Sequence, residues 1–334
     1  MTFKQLKYTF LRLPIIIRLL FLIGIAMTVY GSFIHFIEPE QFPTIFDGIW
    51  WAFVTGATVG YGDYVPTSPL GRAIAVFLVL TGGGLIAFYI SSIAGETVRR
   101  ETDLKKGKIK FKGSNHFVFI GWNERTRQLI ELTANKFPHR QIVLIDRTTK
   151  EISFPNLPVH FIHGDPAEDK TLEKANIHLA EQVLITADHS KSERQADKDT
   201  IVATIAIREN HQTVPIIAEI LSKIQIENAM RAGATAIIRS NDFMSTLFFH
   251  ELSHLKKATP FEDILRILKN ERFVHLKLPA EYNGQTFSDA SANMMREGYL
   301  MLGVLRDNKD YIHPPPSFIL KKNDIIISLT PWNK

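Results

Sequence analysis

Two apolar runs with a glycine-punctuated segment between them constrain this chain more than any other feature of its sequence. Residues 14–37 hold Arg18 near one end and His35 near the other as their only basic side chains, and no acidic residue precedes Glu38. Residues 71–95 carry one charge, Arg72, at their start. Each run exceeds the roughly 20 apolar residues that cross a bilayer as a helix, so both are expected to span a membrane. A signal peptide does not fit the first run, which is long and has no small-residue cleavage site after it. Lys4, Lys7, Arg12 and Arg18 flank the first span, and Arg99, Arg100, Lys105, Lys106, Lys108, Lys110 and Lys112 follow the second. Lys and Arg accumulate on the cytoplasmic side, so both termini are expected inside the cell membrane and the intervening segment outside.

That segment contains an aromatic run, FPTIFDGIWWAFVTGA over residues 42–57, too short to cross but long enough for a half-helix that dips into the bilayer. It leads into TVGYGDYVP over residues 58–66, a stretch without helical period. Irregular backbone at membrane depth is tolerated only where it is buried in protein or lines a watery cavity, because an unpaired N–H or C=O in lipid costs several kcal/mol. Glycine at Gly60 and Gly62 permits positive φ without a Cβ clash, so neighbouring carbonyls can turn to one side of the chain. Several copies around an axis would then form oxygen cages able to replace the water shell of a hard monovalent cation.

Helix, re-entrant half-helix, TVGYGD and helix together resemble the pore of a two-span potassium channel. The resemblance implies that the carbonyls of Thr58, Val59, Gly60 and Tyr61, with the Thr58 hydroxyl, bind K⁺, that Gly62 completes the filter, and that Asp63 bonds Trp50 of the pore helix. It also implies a homotetramer in a lipid bilayer. The second span reads LTGGGLIAFYISSIAG over residues 80–95. Gly82, Gly83 and Gly84 each weaken a helix by roughly 1 kcal/mol relative to Ala, which suits a bend, although small residues also serve close helix packing. In the resembling channels the gating glycine falls at Gly82, and Ala87 and Ser91 would line the inner mouth.

Beyond the second span the chain has the composition of an ordinary soluble α/β protein. Cysteine is absent, so disulfides, thiolate metal sites and cysteine nucleophiles are excluded. The net charge of +5 gathers at the membrane edges rather than on a helix face, which argues against nucleic acid as a partner. Residues 96–112 are charged and lack an apolar face, and read as a helix end plus linker. Then β-branched runs at residues 116–122, 141–146, 159–165, 181–187, 214–220 and 234–240 alternate with helical segments, the pattern of a doubly wound parallel sheet.

In such sheets the ligand sits at the carboxyl ends of the strands, where Gly121 closes the first and Asp146 ends the second. The acid lies 25 residues after the glycine, close to the dinucleotide spacing, but the turn reads GWNERT. Asn123 and Thr126 replace the second and third glycines of the fingerprint, which argues against an ordinary NAD pose. Candidate nucleotide contacts are Gly121, Asn123, Glu124, Arg125, Thr126, Asp146, Arg147 and Asp165. GWNERT, HGDPAEDKTLEKAN and IIAEILSKIQIENAMRAGATAIIRS resemble the RCK domain (TrkA-N and TrkA-C) of prokaryotic potassium channels, including the calcium-gated ones.

The resemblance implies a helical membrane pore joined to a Rossmann-like RCK domain and a small α+β C-terminal lobe. The expected boundaries are a pore over residues 1–98, a linker over 99–114, an RCK N-lobe over 115–240, a crossover helix and hinge over 241–270, and the C-lobe over 271–334. It further implies RCK domains pairing into a cytosolic ring that pulls on the inner helices. Such rings use eight domains, so the resemblance allows for extra soluble RCK copies; no methionine lies between Met27 and Met230, so one starting near residue 100 needs a non-Met start codon. The regulatory ligand stays open among an adenine nucleotide, NAD(H), Ca²⁺ and a cyclic dinucleotide. For Ca²⁺ the candidates are Asp188 and Glu219, with Leu221 where the calcium-gated relatives carry a further acid. A membrane-anchored nucleotide-dependent oxidoreductase is the alternative, but it leaves TVGYGD unexplained.

HELSH, from His250 to His254, matches the H-E-x-x-H zinc pattern. Lys257 stands where the longer metalloprotease motif needs glycine, and no motif supplies a third ligand, so no catalytic residue is assigned.

Overall fold

The computed structural model describes residues 13–152, 158–253 and 260–332, and the chain divides into two compact units, Met1–Ile238 and Arg239–Lys334. The first unit opens with α1, Ile15–Ile37, and the shorter α2, Ile45–Gly56. Thr44 starts α2 with a capping box: its hydroxyl accepts from the Asp47 N–H, and the Asp47 carboxylate accepts from the Thr44 N–H. The two helices touch backbone to backbone, because a Cβ on Gly31 would overlap Ile49 and one on Gly48 would overlap the Gly31 carbonyl. Met27, Ile34, Phe42, Trp51 and Leu78 fill the small core beside this contact.

The second span begins at α3, Pro69–Leu78, with Ser68 as its cap and Pro69 at its first position. A π-helical turn, Val79–Gly83, interrupts it before it continues as α4, Gly84–Lys105. Tyr30 and Thr81 share a 2.8 Å hydrogen bond at this turn, and the Thr81 hydroxyl donates to the Phe77 carbonyl at 2.6 Å. A side chain bonded into the backbone ladder is one recognised cause of a local bend. None of α4 is buried among the described residues of a single chain, and Phe88 and Ile90 are exposed. The helix extends past the expected linker start at residue 99 and stops at Gly107, whose φ of 64° suits a glycine cap.

The Rossmann part contains β1 His116–Ile120, α5 Glu124–Lys136, β2 Ile142–Asp146, β3 His160–His163, α6 Asp169–Lys174, β4 Ala180–Ile185, α7 Glu193–Asn210, β5 Ile216–Glu219, α8 Ile226–Arg231 and β6 Ala236–Ile238. All six strands run parallel in the order β3-β2-β1-β4-β5-β6. Their β-branched residues face a core that includes Val118, Val143, Ile145, Ile162, Val183 and Ile216. Chain order reverses between β1 and β4, which places a crevice at their carboxyl ends.

The second unit contains α9 Ser240–Ser253, α10 Pro260–Asn270, β7 Glu271–Lys277, α11 Phe287–Arg296, β8 Leu300–Arg306, β9 Lys309–Ile312 and β10 Ile325–Pro331. Its strands form an antiparallel sheet in the order β7-β10-β8-β9. Inside it Arg306 donates to both oxygens of the buried Asp324 at 2.8 and 2.7 Å and lies over the Phe318 ring.

Candidate functional site: a filter segment and a strand-end cavity

After α2 the sign of φ alternates, with positive values at Thr58 (61°), Gly60 (61°) and Gly62 (77°). Only glycine holds this conformation without cost, and a Cβ at Gly60 or Gly62 would meet no atom within 4 Å, so the requirement there is conformational. The N–H groups of Val59 and Gly60 both donate to the Val54 carbonyl, at 3.0 and 3.2 Å, and tie the start of the segment to the helix end. Val59 and Tyr61 are exposed in a single chain.

Hydrogen bonds brace the segment from behind. The Trp50 indole N–H donates to Asp63 at 2.7 Å, and the Trp50 and Tyr61 rings stack with centroids 6.0 Å apart. Tyr64 donates to Asp47 at 2.9 Å. Sequence reasoning missed Glu38, which is buried just beyond α1. Its two oxygens accept from the N–H of Thr67 at 2.9 Å and of Ser68 at 3.0 Å, and the Ser68 hydroxyl adds a third bond at 2.5 Å. Gly71 makes room for it, since a Cβ there would overlap the Glu38 carboxylate. The sequence signal was the first acid of the chain standing directly after a span.

Gly82 is buried, and a Cβ on it would sit 2.9 Å from the Met27 methyl, whereas nothing lies within 4 Å of one on Gly84. The first glycine therefore packs closely at the end of the π-turn and the third is unconfined. Ala87 and Ser91 are exposed on α4.

At the strand ends a cavity of about 480 Å³ opens between β1, β2 and β4. Of the expected nucleotide contacts, Gly121, Asn123, Asp146, Arg147 and Asp165 line it, and Asp188 does too. Gly121 has φ of 93°, and a Cβ there would reach the Thr186 hydroxyl. Asn123 caps α5 by accepting from the Thr126 N–H at 2.9 Å, so the side chain replacing a fingerprint glycine satisfies the helix end itself. Asp146 accepts from the N–H groups of Trp122, Thr148 and Thr149 at 2.8, 2.8 and 2.6 Å. At the rim Arg147 bridges Asp165 at 3.0 Å and Asp199 at 2.6 Å, while Lys191 meets Asp199 at 2.5 Å. Burial pushes the Asp199 carboxyl up, but Lys191, Gln195 and Arg147 outweigh it and hold the group below its usual range. The Ser190 hydroxyl and N–H, with Lys191, hold Asp188 low as well.

Glu124, Arg125, Thr126 and Glu219 stand outside the cavity lining. Glu124 pairs with Arg127, which with Gln128 lowers its carboxyl to about 2. Glu219 is buried, accepts the Ala187 N–H at 2.7 Å and is gripped by Arg125 at 2.6 and 3.2 Å. Asp188 and Glu219, the residues expected for a cation, each have other partners: the Arg125 guanidinium holds Glu219, and Asp188 bonds Ser190. Among the described residues no three His, Cys, Asp or Glu side chains converge as metal ligands. Within HELSH, Glu251 accepts the Phe261 N–H at 2.8 Å, and His254 and Lys257 lie outside the described residues.

These two sites match known proteins in the same order along the chain. Residues 15–99 match the Ion channel family and residues 117–240 the TrkA-N domain family. YugO of Bacillus subtilis (strain 168), named among the potassium channel proteins, is 31% identical over 326 residues, 98% of this chain and 99% of its own. The chain belongs to the potassium channels that carry a TrkA-N (RCK) regulatory domain. The channel has two helices long and apolar enough to cross a membrane, Ile15–Ile37 and Pro69–Lys105. It is also similar to the calcium-gated potassium channel TvoK of Thermoplasma volcanium, at 26% identity over 92% of this chain and 90% of that one. Among solved structures the GsuK channel shares the fold, with a TM-score of 0.52 and 16% identity over 95% of this chain, which spans 57% of the GsuK chain.

Proposed function

We propose that four copies of this chain surround a potassium-selective pore, and that an adenine nucleotide in the strand-end cavity sets how often the pore opens. The carbonyls of Thr58, Val59, Gly60 and Tyr61, with the Thr58 hydroxyl, replace the hydration shell of K⁺. The alternating sign of φ from Thr58 to Gly62 supports this role, because it keeps successive carbonyls on one side. Trp50 and Asp63 hold the segment at its radius. The inner helices bend at the glycines Gly82 to Gly84, and Ala87 and Ser91 border the inner mouth. Both termini and the RCK domains face the cytoplasm, where the domains pair into a ring, joined by soluble RCK copies if the ring needs eight.

Asp146 carries the ligand reading. A buried carboxylate at the end of the second parallel strand, beside a cavity of about 480 Å³, stands where a ribose hydroxyl is recognised in such sheets. Asn123 occupies the place of the glycine that admits a pyrophosphate, which favours a mononucleotide over NAD(H). Gating follows from differential affinity: a nucleotide that binds one ring conformation more tightly shifts the pore toward it.

The test is K⁺ efflux from liposomes holding the purified chain, with ADP, ATP, NAD(H), cyclic dinucleotides and Ca²⁺ supplied in turn. An adenine nucleotide is expected to change the flux, and Asp146→Ala to abolish that change. A response to Ca²⁺ alone would contradict the ligand reading.

A further inference from the structure

The segment after the inner helix has the composition of a free linker but is fastened along its length to the Rossmann sheet. Gly107 ends α4 in a Schellman motif, with its own N–H on the Leu104 carbonyl and the Lys108 N–H on the Asp103 carbonyl. The carbonyls on either side go to β3 and to the loop after β2. His163 donates its N–H to the Gly107 carbonyl at 3.0 Å, and Ile152 donates to the Lys105 carbonyl at 3.2 Å. The His160 ring donates to the Ile109 carbonyl at 2.7 Å, the Phe111 N–H donates to Lys174 at 2.8 Å, and Phe111 is buried in the sheet's core. Gly107 is pressed against this edge, since a Cβ on it would overlap the His163 N–H.

The groups that hold the helix end are tied by hydrogen bonds to Asp146, an acid that lines the cavity. Asp146 fixes the loop after β2 through the N–H groups of Thr148 and Thr149. The Thr149 carbonyl accepts from His163 Nδ1 at 2.9 Å, and the Asp146 carbonyl accepts from Gly164 at 3.1 Å. Three short steps therefore lead from the cavity acid to the last turn of the pore-lining helix: Asp146 to Thr149, Thr149 to His163, and His163 to Gly107.

We propose that Gly107 and His163 form the joint through which occupancy at Asp146 reaches the inner helix, with His163 as a positioning residue. A ligand hydroxyl that donates to Asp146 competes with the loop's own donors and re-sets the loop at Thr149, and the loop and β3 carry the Lys105 and Gly107 carbonyls with them. No slack chain intervenes to absorb the shift. This inference rests on the nucleotide reading of the cavity.

The experiment compares ADP binding and the ADP response of K⁺ flux in the full-length reconstituted channel, for the parent, Gly107→Ala and His163→Ala. Gly107→Ala drives a Cβ into the joint, and His163→Ala removes the Thr149 bond while leaving the backbone bond in place. Both variants are expected to bind ADP within about two-fold of the parent and to lose the response by roughly ten-fold or more, the signature of broken coupling. Retained binding also reports a folded cavity, and His163→Ala serves alone if Gly107→Ala does not assemble. A parental response in the His163 variant would overturn the joint. Absence of ADP binding by the parent would overturn the nucleotide reading itself, and the joint with it.

Discussion

Arg125 grips Glu219 through both guanidinium nitrogens, at 2.6 and 3.2 Å, with the acid's side chain 6% exposed and the arginine's 48%. The asymmetry decides what the pair does. Glu219 cannot be solvated, while Arg125 could be, so the guanidinium is there to neutralise the acid that orients Ala187 at the end of β4. Arg125→Met is expected to destabilise the fold by about 1–3 kcal/mol, since it strips a buried carboxylate of its bidentate partner. Thermal unfolding of the purified channel measures this, and an unchanged Tm would refute it.

Glu38 offers acceptors alone to the donors of Thr67 and Ser68. Glu38→Gln turns one acceptor into a donor facing another donor, at an expected cost of about 1–3 kcal/mol. Gly71→Ala should do similar damage by displacing the same carboxylate. Because both changes break one contact, the double variant should be less destabilised than the sum of the singles, read from heat dissociation of the oligomer. Strict additivity would show that the two residues act separately.

Trp50→Phe keeps the ring beside Tyr61 and removes the indole N–H from Asp63. The lost bond is worth about 1 kcal/mol, so K⁺ current in planar bilayers should decay roughly five-fold faster as the filter collapses. Decay at the parental rate would assign the brace no conducting role.

Asp188 and Asp199 at the cavity rim are both held below the usual carboxylate range. A carboxyl lowered by folding contributes stability that is fully present above its unfolded value and is lost as pH falls through the folded one. Thermal stability should therefore be flat near neutrality and decline on acidification below the ordinary carboxylate value. Asp199→Asn should shallow that decline, and an identical acid limb in parent and variant would contradict the assignment.

The parts of this channel legible in its sequence are those where backbone chemistry dictates residue type at fixed spacing. Two bilayer-length apolar runs, and glycines at alternate positions of TVGYGD, admit few structures. The parallel strands were legible too, because a buried strand needs β-branched residues; the run at 141–146 contains β2, Ile142–Asp146. Contacts made between distant segments were not legible. Glu38 meets Thr67 and Ser68 about 30 residues later, and nothing in the order of residues announces it. The charged stretch after residue 96 reads as a linker because its partners are backbone groups of β3 and the loop after β2. Gly107, directly after a lysine-rich helix end, was the one signal that the helix had a designed stop there.

Ion flux from liposomes containing only the purified chain tests the account most directly. K⁺ should pass and Na⁺ should not, Ba²⁺ should block, and ADP should change the K⁺ rate without altering selectivity. Equal passage of K⁺ and Na⁺, or no flux under any nucleotide, would contradict it.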